Sequence, residues 1–126
     1  MTSSVEFSMR HFKPSEFRCR CGCGMGFDYM TASILELLDA CREQAGIPFV
    51  ITSSIRCAAH NDAVGGADRS AHLTGHAVDI SAKTGAQKRA ILKAALMLDA
   101  PRIGVAKDFI HIDTAPYLVQ NVVWTY

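Results

Sequence analysis

The stretch Ser70-Ala71-His72-Leu73-Thr74-Gly75-His76-Ala77-Val78-Asp79-Ile80 constrains this chain more than any other. Two side chains able to bind a metal, His72 and Asp79, stand on either side of a small-residue turn. The turn runs directly into an alternating segment from His76 to Ala82 that reads as a strand. Ala77, Asp79 and Ser81 share one face of it, and His76, Val78 and Ile80 share the other. A loop histidine and a strand carboxylate are thus held seven residues apart, and Gly75 is the residue type that permits tight backbone geometry between them.

The flanking sequence predicts the scaffold. From Thr31 to Ala45, residues Ile34, Leu37, Leu38, Cys41 and Ala45 recur at three-and-four spacing while Glu36, Arg42 and Glu43 fall elsewhere, so an amphipathic helix is expected, ended by Gly46 and Pro48. The run from Phe49 to Ser54 is short and rich in β-branched residues, which predicts a buried strand delivering Arg56 to its end. Residues 57–71 can form a short helix over 58–64, broken by Gly65-Gly66, inside a long loop suited to building a cleft. Thr84-x-x-Gln87 is a capping box that opens a second helix running to about Leu98, with Ile91, Ala94, Ala95 and Leu98 on its inner stripe. Strands are expected over 102–105, 109–113 and 121–126. Helices segregated from a small antiparallel sheet make an α+β domain.

Residues 1–29, with Pro14, Gly22, Gly24 and Gly26, read as an irregular arm, anchored by Phe7, Phe12, Phe17 and Phe27. A chain of 126 residues, 49% hydrophobic and 20% charged, is sized for one domain with one core, so 1–126 is read as a single domain. The formal net charge is +1, with no long run of like charge, which argues against a nucleic-acid or anionic-membrane partner. No apolar run reaches the roughly 20 residues of a membrane span. The first residues lack the basic and apolar regions of a signal peptide, so synthesis in the cytoplasm is expected, with any external substrate reached by another route. A monomer is expected.

The five cysteines are an odd number, and Cys19, Cys21 and Cys23 lie too close together to pair readily. A reducing compartment disfavours a disulfide framework. Three readings stay open for the cluster: a structural or incidental role, a second metal site, or a disulfide partner with Cys57. Cys-x-Cys-x-Cys lacks the usual Cys-x-x-Cys spacing of zinc sites. Cys41 belongs to the first helix.

The candidate chemistry turns on His72, Asp79 and His111. A catalytic zinc takes about three protein ligands of nitrogen or oxygen type and leaves one position open, and it lowers the pKa of water from about 15.7 to about 7. The helical His-Glu-x-x-His motif is absent. Residue types alone admit either a metal site or a hydrogen-bonded structural pair, and His111 alone reads as a strand histidine.

Ser70-x-His72-x-x-Gly75-x-Ala77-x-Asp79, preceded by Ser53-Ser54-Ile55-Arg56 and Asn61-x-x-Val64-Gly65-Gly66, resembles the VanY-like family of zinc peptidoglycan peptidases. That family holds D-Ala-D-Ala carboxypeptidases and phage L-alanyl-D-glutamate endolysins. The arm from Phe12 to Cys19 and the ending from Asp108 to Asp113 through Trp124 resemble its short phage-type members. The resemblance implies Zn2+ held by His72, Asp79 and His111, and a fold like that of D-Ala-D-Ala peptidases and hedgehog domains. It implies a catalytic carboxylate at Asp108, three residues before the last histidine, where many members have Glu; Asp113 is the competing candidate. A carboxylate close to the metal but not bound to it is suited to proton transfer. Arg56 matches the arginine that faces the substrate and polarises the scissile carbonyl. Ser70 matches a serine beside the ligand histidine, and His60 is placed along the cleft. His76 is read as structural or supporting, and His11 as a surface residue. The implied function is hydrolysis of a peptide bond in peptidoglycan stem peptides by a phage or prophage lysis enzyme acting on the wall after release. The other readings are a non-catalytic zinc-bearing binding module of the same fold and a zinc-free carbohydrate or protein binder.

Overall fold

The computed structural model describes residues 9–126, so Phe7 lies outside the described residues. These residues form three α-helices, three short 3-10 turns and one five-stranded sheet. The helices are α1 (Ala32–Ala45), α2 (Ala58–Ala63) and α3 (Gly85–Met97); the strands are β1 (Ile51–Ser53), β2 (Ala77–Ser81), β3 (Arg102–Val105), β4 (Phe109–Asp113) and β5 (Val122–Thr125).

The expected amphipathic helix is α1, closed by Gly46 in the left-handed conformation, with Ile34, Leu35, Leu38 and Cys41 buried. The capping box opens α3: Thr84 Oγ1 accepts from the Gln87 backbone N–H at 3.1 Å, and Gln87 Oε1 accepts from the Thr84 N–H at 3.1 Å. Ile91, Ala94 and Ala95 are buried as expected, but the helix stops at Met97 and Leu98 is 36% exposed. At that end the backbone has left the helical path, so the stripe no longer faces the core.

Sheet order is β1-β2-β4-β3-β5. β1/β2, β2/β4 and β3/β4 pair antiparallel, whereas β5 runs parallel to β3, so the sheet is mixed rather than wholly antiparallel. The segment expected as a buried strand is an edge strand. Among the described residues β1 pairs only with β2, and Val50 just before it is 61% exposed while Phe49 and Ile51 are buried.

One core joins α1 and α3 to one face of the sheet: Val78 and Ile80 of β2, Ile103 of β3, and Ile110 and Ile112 of β4 are fully buried among Ile34, Leu38, Ile91 and Ala95. Each such aliphatic side chain contributes about 1.5–3 kcal/mol by leaving water. Side chains alternate across a strand. The residues between these positions, Asp79, His111 and Asp113, therefore emerge on the opposite face, away from the helices.

The arm is held by aromatic contacts. Phe12 packs on Phe17 and Phe49 with ring centroids 5.8 and 6.4 Å apart, and Phe17 packs on Phe27 at 6.0 Å. The Arg10 and His11 N–H groups donate to the Asp39 carboxylate of α1, each at 3.0 Å. His11 is half-buried rather than free on the surface, with Nε2 2.7 Å from Glu43 Oε1. No helix among the described residues is long and apolar enough to cross a membrane.

Candidate metal centre and cleft

Strand register brings two of the candidate ligands together. Asp79 of β2 lies directly opposite His111 of β4, and their side chains share the helix-free face. His72 arrives from the 3-10 turn Ala71–Thr74, capped by the preceding Ser70, whose Oγ accepts from the His72 N–H at 3.2 Å. Gly75 ends that turn at φ +72°. Its Cα faces the Tyr29 carbonyl so closely that no Cβ fits, and its own carbonyl accepts from the Thr31 N–H at 2.9 Å. The ligand turn is thereby clamped to the start of α1.

The ring nitrogens have defined roles. The Ser54 carbonyl can only accept, so His72 Nδ1, 2.7 Å away, carries the proton and Nε2 presents a lone pair. The Asp113 carboxylate accepts from His111 Nε2 at 2.6 Å, which directs Nδ1 inward. His72 Nε2 and His111 Nδ1 lie 3.3 and 2.8 Å from the same atom, Asp79 Oδ1, and all three donor atoms fall within 4.8 Å of one another. All three residues are buried. Three inward lone pairs in a poorly solvated pocket repel unless a proton or a cation lies among them. The donor set, two imidazoles and one carboxylate with the outer nitrogens hydrogen-bonded, fits a zinc site of catalytic type.

Without a cation, a proton on His111 takes its place, and both ring nitrogens then donate, Nδ1 to Asp79 and Nε2 to Asp113. Burial opposes ionisation of Asp79, but the protonated His111 ring and the adjacent His72 outweigh it and hold the carboxyl well below the usual range. Burial likewise disfavours the His111 cation, yet the hydrogen bonds to Asp113 and Asp79 raise its pKa.

The centre lies in a cleft of about 580 Å3 that is also lined by Arg56, Arg69, Ser70, Phe109, Trp124 and Tyr126. Arg56 donates to Asn61 Oδ1 at 2.9 Å and Ser53 Oγ at 3.1 Å, and it stands 4.0 Å from Asp79 Oδ2. Its buried Nε has no partner among the described residues. Arg102 also lines the cleft: it donates to Asp113 Oδ1 at 2.9 Å and lies over the Trp124 ring at 4.8 Å.

Of the residues singled out in the sequence, His72, Asp79, His111, Arg56 and Ser70 meet at this cleft. His60 does not line it; its backbone N–H donates to Cys57 Sγ in the first turn of α2. Asp108 is exposed in the β3–β4 turn and is not among the lining residues; its carbonyl accepts from the Ala82 N–H at 2.8 Å. Asp113 lines the cleft, bound to His111, Arg102 and the Ala115 N–H. His76 stands outside the cleft, 2.7 Å from Thr74 Oγ1. Sequence reading missed Arg69 and Arg102. The Arg102–Asp113 pair becomes visible only with the register, which sets those residues opposite each other.

A family model described as peptidase M15 matches residues 10–113. No curated protein matches the chain.

Proposed function

The chain belongs to the peptidase M15 family, and from this premise we propose that it is a zinc-dependent peptidase that cleaves stem peptides of peptidoglycan. The cut is at L-Ala-D-Glu, as an endolysin, or at D-Ala-D-Ala, as a carboxypeptidase, in the service of phage or prophage lysis. The observation that carries this reading is the convergence of His72 Nε2, His111 Nδ1 and Asp79 Oδ1, with both outer ring nitrogens already committed to acceptors.

His72, Asp79 and His111 would hold the metal. Zinc, when bound, supplies a Lewis acid and acidifies water near neutral pH. Arg56, fixed by Asn61 and Ser53, directs its guanidinium at the scissile carbonyl and stabilises charge on its oxygen as the tetrahedral species forms. Proton transfer needs a carboxylate free of other duties. Both lining carboxylates are engaged, Asp79 as a ligand and Asp113 with His111 and Arg102. Asp108, one residue before the cleft-lining Phe109, takes the proton from the attacking water and returns it to the leaving amine.

The walls favour an anionic peptide. Arg56, Arg69 and Arg102 supply positive charge, while Phe109 and Trp124 offer apolar surface to small side chains. A stem peptide combines free carboxylates with alanine methyl groups. The protein acts on the bacterial cell wall.

The test is digestion of purified peptidoglycan by zinc-loaded and chelator-treated protein, with fragments read by mass spectrometry. Free D-Ala identifies a carboxypeptidase, and stem peptides cut after L-Ala identify an endopeptidase. Absence of any zinc-dependent product from several wall types overturns the proposal and favours a binding module.

A further inference from the structure

A second cluster of ligating side chains lies away from the cleft. Cys19, Cys21 and Cys23 of the arm meet Cys57, the residue that caps α2, and their four sulfur atoms all fall within 4.8 Å of one another. All four are free thiols. Cys19 Sγ and Cys21 Sγ are 3.4 Å apart, and Cys21 Sγ and Cys57 Sγ are 3.6 Å apart. A zinc ion with Zn–S bonds of about 2.3 Å requires sulfurs at the corners of a tetrahedron with edges of about 3.8 Å. Single-ion coordination fits these separations; an iron–sulfur cluster, with its larger core, does not.

From this geometry we infer that Cys19, Cys21, Cys23 and Cys57 form a structural tetrathiolate zinc site, distinct from the centre in the cleft. The local backbone is built for one. Gly22 and Gly24 adopt φ of +82° and +98°, conformations that let successive cysteines of Cys-x-Cys-x-Cys turn toward one point despite their short spacing. The Gly22 N–H donates to the Cys19 carbonyl at 3.1 Å and closes the first turn. Two sulfurs already accept backbone hydrogen bonds, Cys19 Sγ from the Cys57 N–H at 3.4 Å and Cys57 Sγ from the His60 N–H at 3.3 Å. Such bonds disperse thiolate charge in the way outer-shell partners of a metal do. Arg20 lies within the ligand loop and donates to the Ile51 carbonyl at 2.8 Å, tying the loop to β1.

The site's structural work follows from its connections. It joins the arm to the residue immediately after Arg56, at the start of the helix whose Asn61 holds the Arg56 guanidinium. The cleft arginine is thereby positioned by a metal-bound staple as well as by the core.

The test is metal content by elemental mass spectrometry on protein purified anaerobically with zinc, paired with cobalt spectroscopy. Wild type is expected to hold two zinc ions per chain. His111→Ala keeps one and, loaded with cobalt, shows intense thiolate-to-cobalt charge transfer. Cys21→Ser with Cys23→Ser loses the thiolate-bound ion and that absorption, while Cys23→His, which retains a ligand, keeps the ion. The cobalt spectrum of His111→Ala reads the site with all four cysteines intact, so it stands even if the serine variant fails to fold. It also separates this inference from the cleft chemistry, since that variant lacks the cleft metal. A His111→Ala protein without the thiolate–cobalt band, iron in place of zinc, or a disulfide among the four cysteines overturns the inference.

Discussion

Asp113 Oδ2 accepts from His111 Nε2 at 2.6 Å, so a fully buried carboxylate two residues along the same strand aims a candidate metal ligand. Arg102 balances that carboxylate from the neighbouring strand at 2.9 Å. Asp113 is a positioning residue, and its commitments leave it poorly suited to carry a proton to substrate. Asp113→Asn is expected to weaken zinc binding by about 10–100-fold, because an amide can present its NH2 to Nε2 and reverse the tautomer. Competition with a chromophoric chelator measures this, and unchanged affinity removes the orienting role.

Asp108 separates from Asp113 by a different signature. Asp108→Asn is expected to retain wild-type zinc content and thermal stability while hydrolysis falls by about 100-fold or more, the typical share of one proton-transfer group. Persistent activity with full zinc content means that another group moves the proton.

Zinc binding in the cleft should strengthen as pH rises. In the metal-free protein, burial disfavours charge on His111, but Asp113 and Asp79 hold its proton to higher pH than an ordinary imidazole. That protonated form stabilises the metal-free fold below the ordinary histidine pKa, and the contribution is lost as pH rises through the raised value. Zinc requires the neutral ring, so its affinity moves the other way, by about tenfold per pH unit for each proton displaced. Titrations between pH 6 and 8 decide it; a flat profile is inconsistent with His111 as a ligand.

Gly75→Ala tests the clamp between the ligand turn and α1. The left-handed φ alone costs about 1–3 kcal/mol for a residue with a Cβ, and the added methyl meets the Tyr29 carbonyl. The expected result is a melting temperature several degrees lower together with reduced zinc occupancy, since the same turn carries His72. An unchanged melting temperature shows that the turn relaxes without strain.

Much of the scaffold was legible in the sequence because its causes are local. The three-and-four spacing of Ile34, Leu38 and Cys41 dictates a helix face, and the Thr84–Gln87 pair opens α3 through hydrogen bonds within one turn. Alternation along β2 sends Asp79 and Ile80 to opposite faces whatever the partner strands are. Local spacing marked His72 and Asp79 only as a possible metal site or a hydrogen-bonded structural pair; their role as ligands, with His111, came from the family resemblance.

Tertiary structure decided what depends on distant chain. β5 joins β3 in parallel and β1 stays at an edge, neither of which strand propensity specifies. The acceptor that fixes His72 is the backbone carbonyl of Ser54, a group every residue possesses and no sequence pattern marks. Asp108 and Asp113 have the same side chain; one lies exposed in a turn and the other is enclosed by His111 and Arg102 because register, not residue type, sets their surroundings. Cys57 reaches the arm cysteines across nearly forty residues, with Cys19 Sγ accepting from its N–H. The sequence determines which groups are present and which face of a local element they occupy; only packing brings separate elements within bonding distance and assigns each group its partner.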